Sequence, residues 1–232
     1  MILTPIDRDG QAAGLAGLAG GLTARPVAAA ALARIAASRG RGGPEDTAER
    51  RDEAVALARA LGIPTLDEEP ADAFSWDGAR LRTRSEAWVV LHEIAHWQLA
   101  PPARRPLPDF GLGAGPETGR KEAADAARCL DGTALAEEEA EASLLGILWE
   151  AALDRPAIHA FVEQNWLEGW DRPSAAAWFA ETVERLHRAG LIDDRAVPSA
   201  FPGGRRPVPE SDQPALMPCR ERMPRISAAV SG

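Results

Sequence analysis

The stretch from Trp88 to Ala100 reads WVVLHEIAHWQLA, and no other stretch constrains the chain as much. At 3.6 residues per turn, Val89, Val90, Leu91, Ile94, Trp97 and Leu99 run nearly all the way round a helix. Such a helix belongs in the centre of a domain. Two histidines and a glutamate inside it are costly to desolvate unless something satisfies them. His92 and His96, four residues apart, project from one face. Glu93 lies one step round, completing an HExxH arrangement of two imidazoles for a metal and one carboxylate for proton handling. The bland alternative is a pair of core histidines hydrogen-bonded to neighbours. The apolar helix, the intervening glutamate and the long loop that follows favour the metal.

A metal held by two histidines needs a third protein ligand. The metzincin extension requires Gly at position 99 and His at position 102, where this chain has Leu99 and Pro102. His159 and His187 each fall on an amphipathic helix and read as surface histidines. A carboxylate from the run AEEEAEAS fits better, since Glu139 shares a side with Ser143 and Gly146, small residues that let another helix approach. Glu139 is therefore the expected ligand, with Glu138 and Glu141 as the alternatives. Two histidines and one carboxylate serve both zinc hydrolases and non-haem iron oxygenases, so the donors leave iron and zinc open.

Around this motif the pattern is helical. PVAAAALARIAASRG opens on Pro26 and closes on Gly40, and TAERRDEAVALARALG puts Ala54, Leu57, Ala58 and Leu61 on one face. AFSWDGARLRT reads as a short hairpin turning at Asp77–Gly78, and Thr83 with Glu86 reads as a capping box for the motif helix. Residues 101–116 are too rich in Pro and Gly for a helix and read as a binding wall. Four more helices follow, in ETGRKEAADAARCL, TALAEEEAEASLLGILWEAAL, PAIHAFVEQNWLEG and PSAAAWFAETVERLHRAG. The third-from-last turns Ala140, Leu144, Ile147, Leu148 and Ala151 inward. The expected fold is mostly α, an α+β chain with a small hairpin or sheet. Residues 1–195 form one metal-binding catalytic domain, and 196–232 form a Pro-, Gly- and Arg-rich tail.

The formal net charge of −9 speaks against a general nucleic-acid binder. Cys129 and Cys219 make no disulfide framework, which suits a reducing cytoplasm. Asp7 and Asp9 stand where a secretory leader needs positive charge, and no apolar run reaches the roughly 20 residues of a membrane span. The expected setting is the cytoplasm, with no membrane partner.

From His92 onward, HEIAHWQLAPPARRPLPDFG resembles the elongation factor P hydroxylase family of bacterial iron enzymes. The resemblance rests on His92, Glu93, His96 and Trp97, then Ala103-Arg104-Arg105, then Asp109-Phe110-Gly111. Looser matches at Pro116-Glu117, the acidic helix at 137–141 and LEG at 167–169 extend it from about Ile63 to Gly190. It implies a monooxygenase-type oxidoreductase that uses O2 and iron to hydroxylate a modified lysine on elongation factor P. His92 and His96 carry over as ligands, and the acidic helix aligns best with Glu139. Arg104 or Arg105 would pair with Asp109 to fix the loop over the metal, Phe110 would pack as a lid, and Gly111 would permit the sharp turn. After DFG the family has an aromatic- and Cys-containing stretch, whereas this chain has LGAGPETG, so a changed substrate, protein or small molecule, is compatible with the resemblance. In the iron reading Glu93 relays protons or orients a ligand. In a zinc metallopeptidase it would be the general base, although such an enzyme often uses Tyr on the oxyanion and this chain has none.

Overall fold

The motif segment folds as a helix, α4 (Ala87–Leu99), and buries Val89, Val90, Leu91, Ile94 and Ala95 as its all-round apolar pattern requires. The computed structural model describes residues 8–43 and 45–199. The main neighbour of α4 is α6 (Gly132–Ala152), and α3 (Ala48–Ala60) covers another side. α6 packs in turn on α2 (Pro26–Ala37) and α8 (Pro173–Arg188), which also touch each other. The fold is mostly helical and shares one hydrophobic core. The only sheet among the described residues has two strands, β1 (Thr65–Leu66) and β2 (Leu81–Arg82). No helix of the described residues is long and apolar enough to cross a membrane.

The α4–α6 contact is close because Gly146 faces the backbone of α4. A Cβ on Gly146 would sit 3.3 Å from the His92 nitrogen and 3.4 Å from its Cα. Leu144, Leu145, Ile147 and Leu148 bury the rest of that turn and the next. Gly146 thus does what a small residue was expected to do beside Glu139, while Ser143 bonds instead to Gln164 and Trp166.

Several local expectations are corrected. Thr83 with Glu86 forms no capping box: the Thr83 hydroxyl donates to the Leu66 carbonyl at 3.3 Å, and Glu86 is an N-cap without a side-chain bond. Asp46, from the loop before α3, instead accepts from the Ala87 nitrogen at 2.8 Å. The turn at Asp77–Gly78 does form, with Asp77 Oδ1 accepting from the Ala79 and Arg80 nitrogens at 3.0 and 2.8 Å. Its arms share only one antiparallel bridge, Trp76 with Leu81, because β2 pairs in parallel with β1, Thr65 opposite Leu81 and Leu66 opposite Arg82. The helix expected to run to Leu130 is the short α5 (Lys121–Ala126), since the Cys129 nitrogen turns away to the Gly111 carbonyl at 2.8 Å. α7 (Ile158–Glu163) also ends early, at left-handed Asn165.

An additional helix, α1 (Arg8–Gly20), stands where composition suggested only an apolar segment. Its glycines are poor helix formers, but Gly17 gives Trp170 a flat surface, a Cβ there falling 2.2 Å from the indole ring. At the other end, residues 196–199 are tied down by a Ser199 nitrogen bond to the Leu191 carbonyl and by Gln98 Nε2 on the Ser199 carbonyl. The remainder of the expected tail, 200–232, lies outside the described residues.

Two outcomes follow from this packing. Gly146→Val overfills the α4–α6 contact and costs about 1–3 kcal/mol in denaturant unfolding. On the same helix, burial pushes the half-buried Glu150 carboxyl from 4.5 up to about 7, against the pull of Arg155 and Arg50. A carboxyl that prefers its proton in the fold stabilises at low pH, and that advantage fades as pH rises from 4.5 through about 7. Glu150→Gln therefore raises Tm by a few degrees at about pH 8 and leaves it unchanged at about pH 4, as read by thermal melts across that range.

Candidate metal centre

The i, i+4 spacing on α4 brings the two imidazoles together, His92 Nε2 lying 2.9 Å from His96 Nε2. From α6, Glu139 Oε2 stands 3.5 Å from His92 Nε2 and 3.6 Å from His96 Nε2. A point equidistant from these three atoms lies about 1.9 Å from each, close to the length of a metal–nitrogen or metal–carboxylate bond. This is the one group of His, Cys, Asp and Glu donors among the described residues with the geometry to hold a metal ion.

The surroundings fit the same role. His96 is buried, and with Nε2 turned to the donor triangle its Nδ1 faces Glu138 Oε1 at 4.0 Å. Neither atom has a hydrogen-bond partner. A metal on Nε2 would place the ring proton on Nδ1, directed at that carboxylate, the usual way in which a ligating histidine is oriented. The other Glu138 oxygen accepts from Arg104 at 2.5 Å. Glu138 is thus occupied by Arg104 and Glu141 by Arg185 at 2.6 Å, which leaves Glu139 of the three expected carboxylates to complete the triangle.

Charge in the site follows from burial and from these contacts. Burial lowers the His92 pKa, and His96 beside it lowers it further. Burial alone would raise Glu139, but hydrogen bonds and charge from His92 and His96 outweigh it and hold the carboxyl well below its usual range. Glu93 goes the other way: burial, then Asp109, Glu139 and Glu117, push it well above the ordinary value. Glu138 is also raised, by burial against the opposing pull of Arg104.

The wall opposite the histidines is the loop after α4. Asp109, Phe110 and Gly111 have φ of 42°, 55° and 72° in succession, a left-handed run that costs energy at the two non-glycine positions. Asp109 holds it: Oδ1 accepts from the Trp76 nitrogen at 3.1 Å and Oδ2 from the Thr118 hydroxyl at 2.7 Å. Phe110 is thereby stacked on Trp76, ring centroids 5.2 Å apart, and stands 6.0 Å from the His96 ring. The Phe110 ring thus lies beside the site, against Trp76 and His96. The expected ion pair does not form, because neither arginine meets Asp109. Arg104 spans from the Phe110 carbonyl, at 3.4 Å, to Glu138, and so ties the loop to α6. Arg105 lies over Trp97 at 4.0 Å and donates to the Ala100 carbonyl. Asp109 is satisfied by a hydroxyl and a backbone nitrogen, partners that sequence spacing does not reveal.

The donor triangle opens on a cavity of about 380 Å³ whose wall includes Trp88, Glu93, Asp109, Phe110, Glu117 and Thr118. His92, Glu139 and Gln164 also border a second cavity of about 430 Å³. Glu117 appeared in the sequence only within a loose Pro116-Glu117 match, and Thr118 and Gln164 carry no motif that would have singled them out. His159 lines a different cavity, and His187 bonds to Asp194 at 2.9 Å, so neither joins the triangle. No family model, curated protein or solved structure matches the chain.

A divalent-metal titration checks this assignment. His96→Ala abolishes tight binding. Glu138→Gln, which contributes no donor, weakens binding at least about ten-fold through loss of the His96 orientation. Glu141→Gln leaves affinity unchanged.

Proposed function

We propose that this chain is a non-haem iron oxygenase that hydroxylates a cationic, lysine-derived side chain of a protein. In line with the motif resemblance, the substrate is a translation factor of the elongation factor P kind or a polypeptide presenting a similar side chain. The observation that carries the reading is the composition of the cavity beside the three donors. Glu93, Asp109, Glu117 and Glu139 border it, and no lysine or arginine does among its described lining residues.

His92, His96 and Glu139 would hold the metal on one face and leave the cavity side open. Iron held there would supply activation of O2, so that one oxygen atom could enter a C–H bond and the other leave as water, with two electrons from a separate reductant and two protons. Glu117 and Asp109 attract the substrate ammonium, while Trp88 and Phe110 offer apolar surface to its methylene stem. Glu93, whose environment favours its protonated form, is placed to pass a proton into the cavity. Arg104 holds loop and α6 together, and Glu138 orients His96.

A second reading, a zinc hydrolase, is favoured by the position of Glu93 in the same cavity as both histidines, where a general base would stand. The absence of a cationic side chain from that wall counts against it, since the oxyanion of peptide hydrolysis would then face carboxylates.

Purification without oxygen followed by metal analysis separates the two. The oxygenase reading expects near-stoichiometric iron, and gain of one oxygen atom on elongation factor P when O2 and a reductant are supplied. Glu93→Gln keeps the metal and slows turnover by about a hundred-fold or more. Zinc in place of iron, with peptide cleavage lost in Glu93→Gln, overturns it.

A further inference from the structure

We propose that Gln164 orients the substrate at this centre by donating a hydrogen bond from its side-chain amide to a neutral carbonyl, that of a peptide or other amide group. The inference rests on the reading above that a substrate ammonium occupies the acidic cavity.

Gln164 is one of three residues, with His92 and Glu139, that border both cavities. It sits at the end of α7, where left-handed Asn165, φ 65°, turns the chain and sends Trp166 into a cluster with Phe161 and Phe179. The ring centroids of that cluster lie 5.8–6.2 Å apart, so the position of Trp166 is set by packing. Its indole N–H donates to the Ser143 hydroxyl at 2.8 Å. The hydroxyl then gives its single proton to Gln164 Oε1 at 2.5 Å.

This chain fixes which way the amide faces. An indole nitrogen only donates, so Ser143 must accept from it. Having accepted from the indole, the Ser143 hydroxyl gives its proton onward, and the Gln164 atom that meets it is the carbonyl oxygen, which accepts. The Gln164 NH2 group makes no hydrogen bond to a described residue, and the side chain borders both cavities. Maintaining an oriented amide donor beside two histidines and a carboxylate suits a partner that is itself an acceptor. An ammonium is not; a carbonyl is. Besides Glu139 and Glu168, the second cavity is lined by Ser143, Asn165, Trp166 and Trp178, uncharged groups suited to the neutral part of a peptide. A lysyl residue with its ammonium at Glu117 and its carbonyl on Gln164 would carry its methylenes past the donor triangle.

The test uses the full chain, 15N-labelled and loaded with zinc to remain diamagnetic, with two probes. N-acetyl-lysine methylamide carries ammonium and carbonyls; n-butylamine carries the ammonium alone. The Gln164 NH2 resonances are assigned by their loss in Gln164→Glu. The methylamide is expected to move those resonances and to bind about five-fold more tightly than butylamine, one net hydrogen bond. Ser143→Ala and Trp166→Phe, each of which breaks the chain that orients the amide, are expected to remove that advantage while butylamine binds as before. Equal binding of the two probes with the Gln164 resonances unmoved overturns the role of Gln164 and leaves the acidic-cavity reading standing. Retention of the advantage in both variants overturns the orienting chain. Failure of both probes to bind overturns both readings.

Discussion

The close approach of α6 to the backbone of α4 is the contact on which the rest of the site depends. Two histidines on one helix face give only two donors, and the third must come from another element held at a fixed height and rotation. Gly146 supplies that constraint by resting against His92 itself, with the next contact at Leu91. Seven residues earlier on α6, two helical turns, Glu139 then falls beside both imidazoles and Glu138 beside His96. Leucines and an isoleucine around Gly146 make the contact cohesive, so hydrophobic burial in the core is what sets the donor distances.

The loop opposite is positioned by different physics. Three consecutive left-handed residues do not persist by local preference, since Asp109 and Phe110 both carry a Cβ. Their geometry is over-determined by Asp109 bonding to Trp76 and Thr118, by Phe110 stacking on Trp76, and by Arg104 gripping the Phe110 carbonyl. The same Arg104 ends on Glu138, which faces His96. Loop strain and ligand orientation are therefore linked through one guanidinium.

Helical periodicity made much of this legible. The α4 pattern, the inward face of α6 and the two-histidine spacing depend on 3.6 residues per turn, and Glu139 followed from its place beside Ser143 and Gly146. Partners distant in sequence were not legible. Arg104 or Arg105 was expected on Asp109, but Thr118 and Trp76 already satisfy Asp109, and Arg104 reaches Glu138, 34 residues away. The capping box failed for a similar reason: Thr83 is drawn to the β1 strand, and Asp46, 41 residues from Ala87, caps α4 instead. Glycines concealed α1, whose helix is stabilised by Trp170 packing on Gly17 and by buried Leu15 and Leu18. In each case tertiary contact overrode a local signal that was itself reasonable.

The acidity of the main cavity adds a final step. Glu93 is raised by burial and by Asp109, Glu139 and Glu117, so these carboxylates repel one another in a partly desolvated space. Asp109 is tied to structure, and Glu139 is turned to the histidines. Glu93 and Glu117 have no such structural partner among the hydrogen bonds that hold the loop and helices in place. A fold that gathers carboxylates on this wall and keeps the arginines off it, Arg104 at Glu138 and Arg105 over Trp97, is less stable than one that mixes the signs. Cations would relieve that cost at two points, a divalent metal at the donor triangle and an ammonium farther along the wall. Under the proposed function both would be present, and repulsion among the wall carboxylates would then favour a cationic substrate.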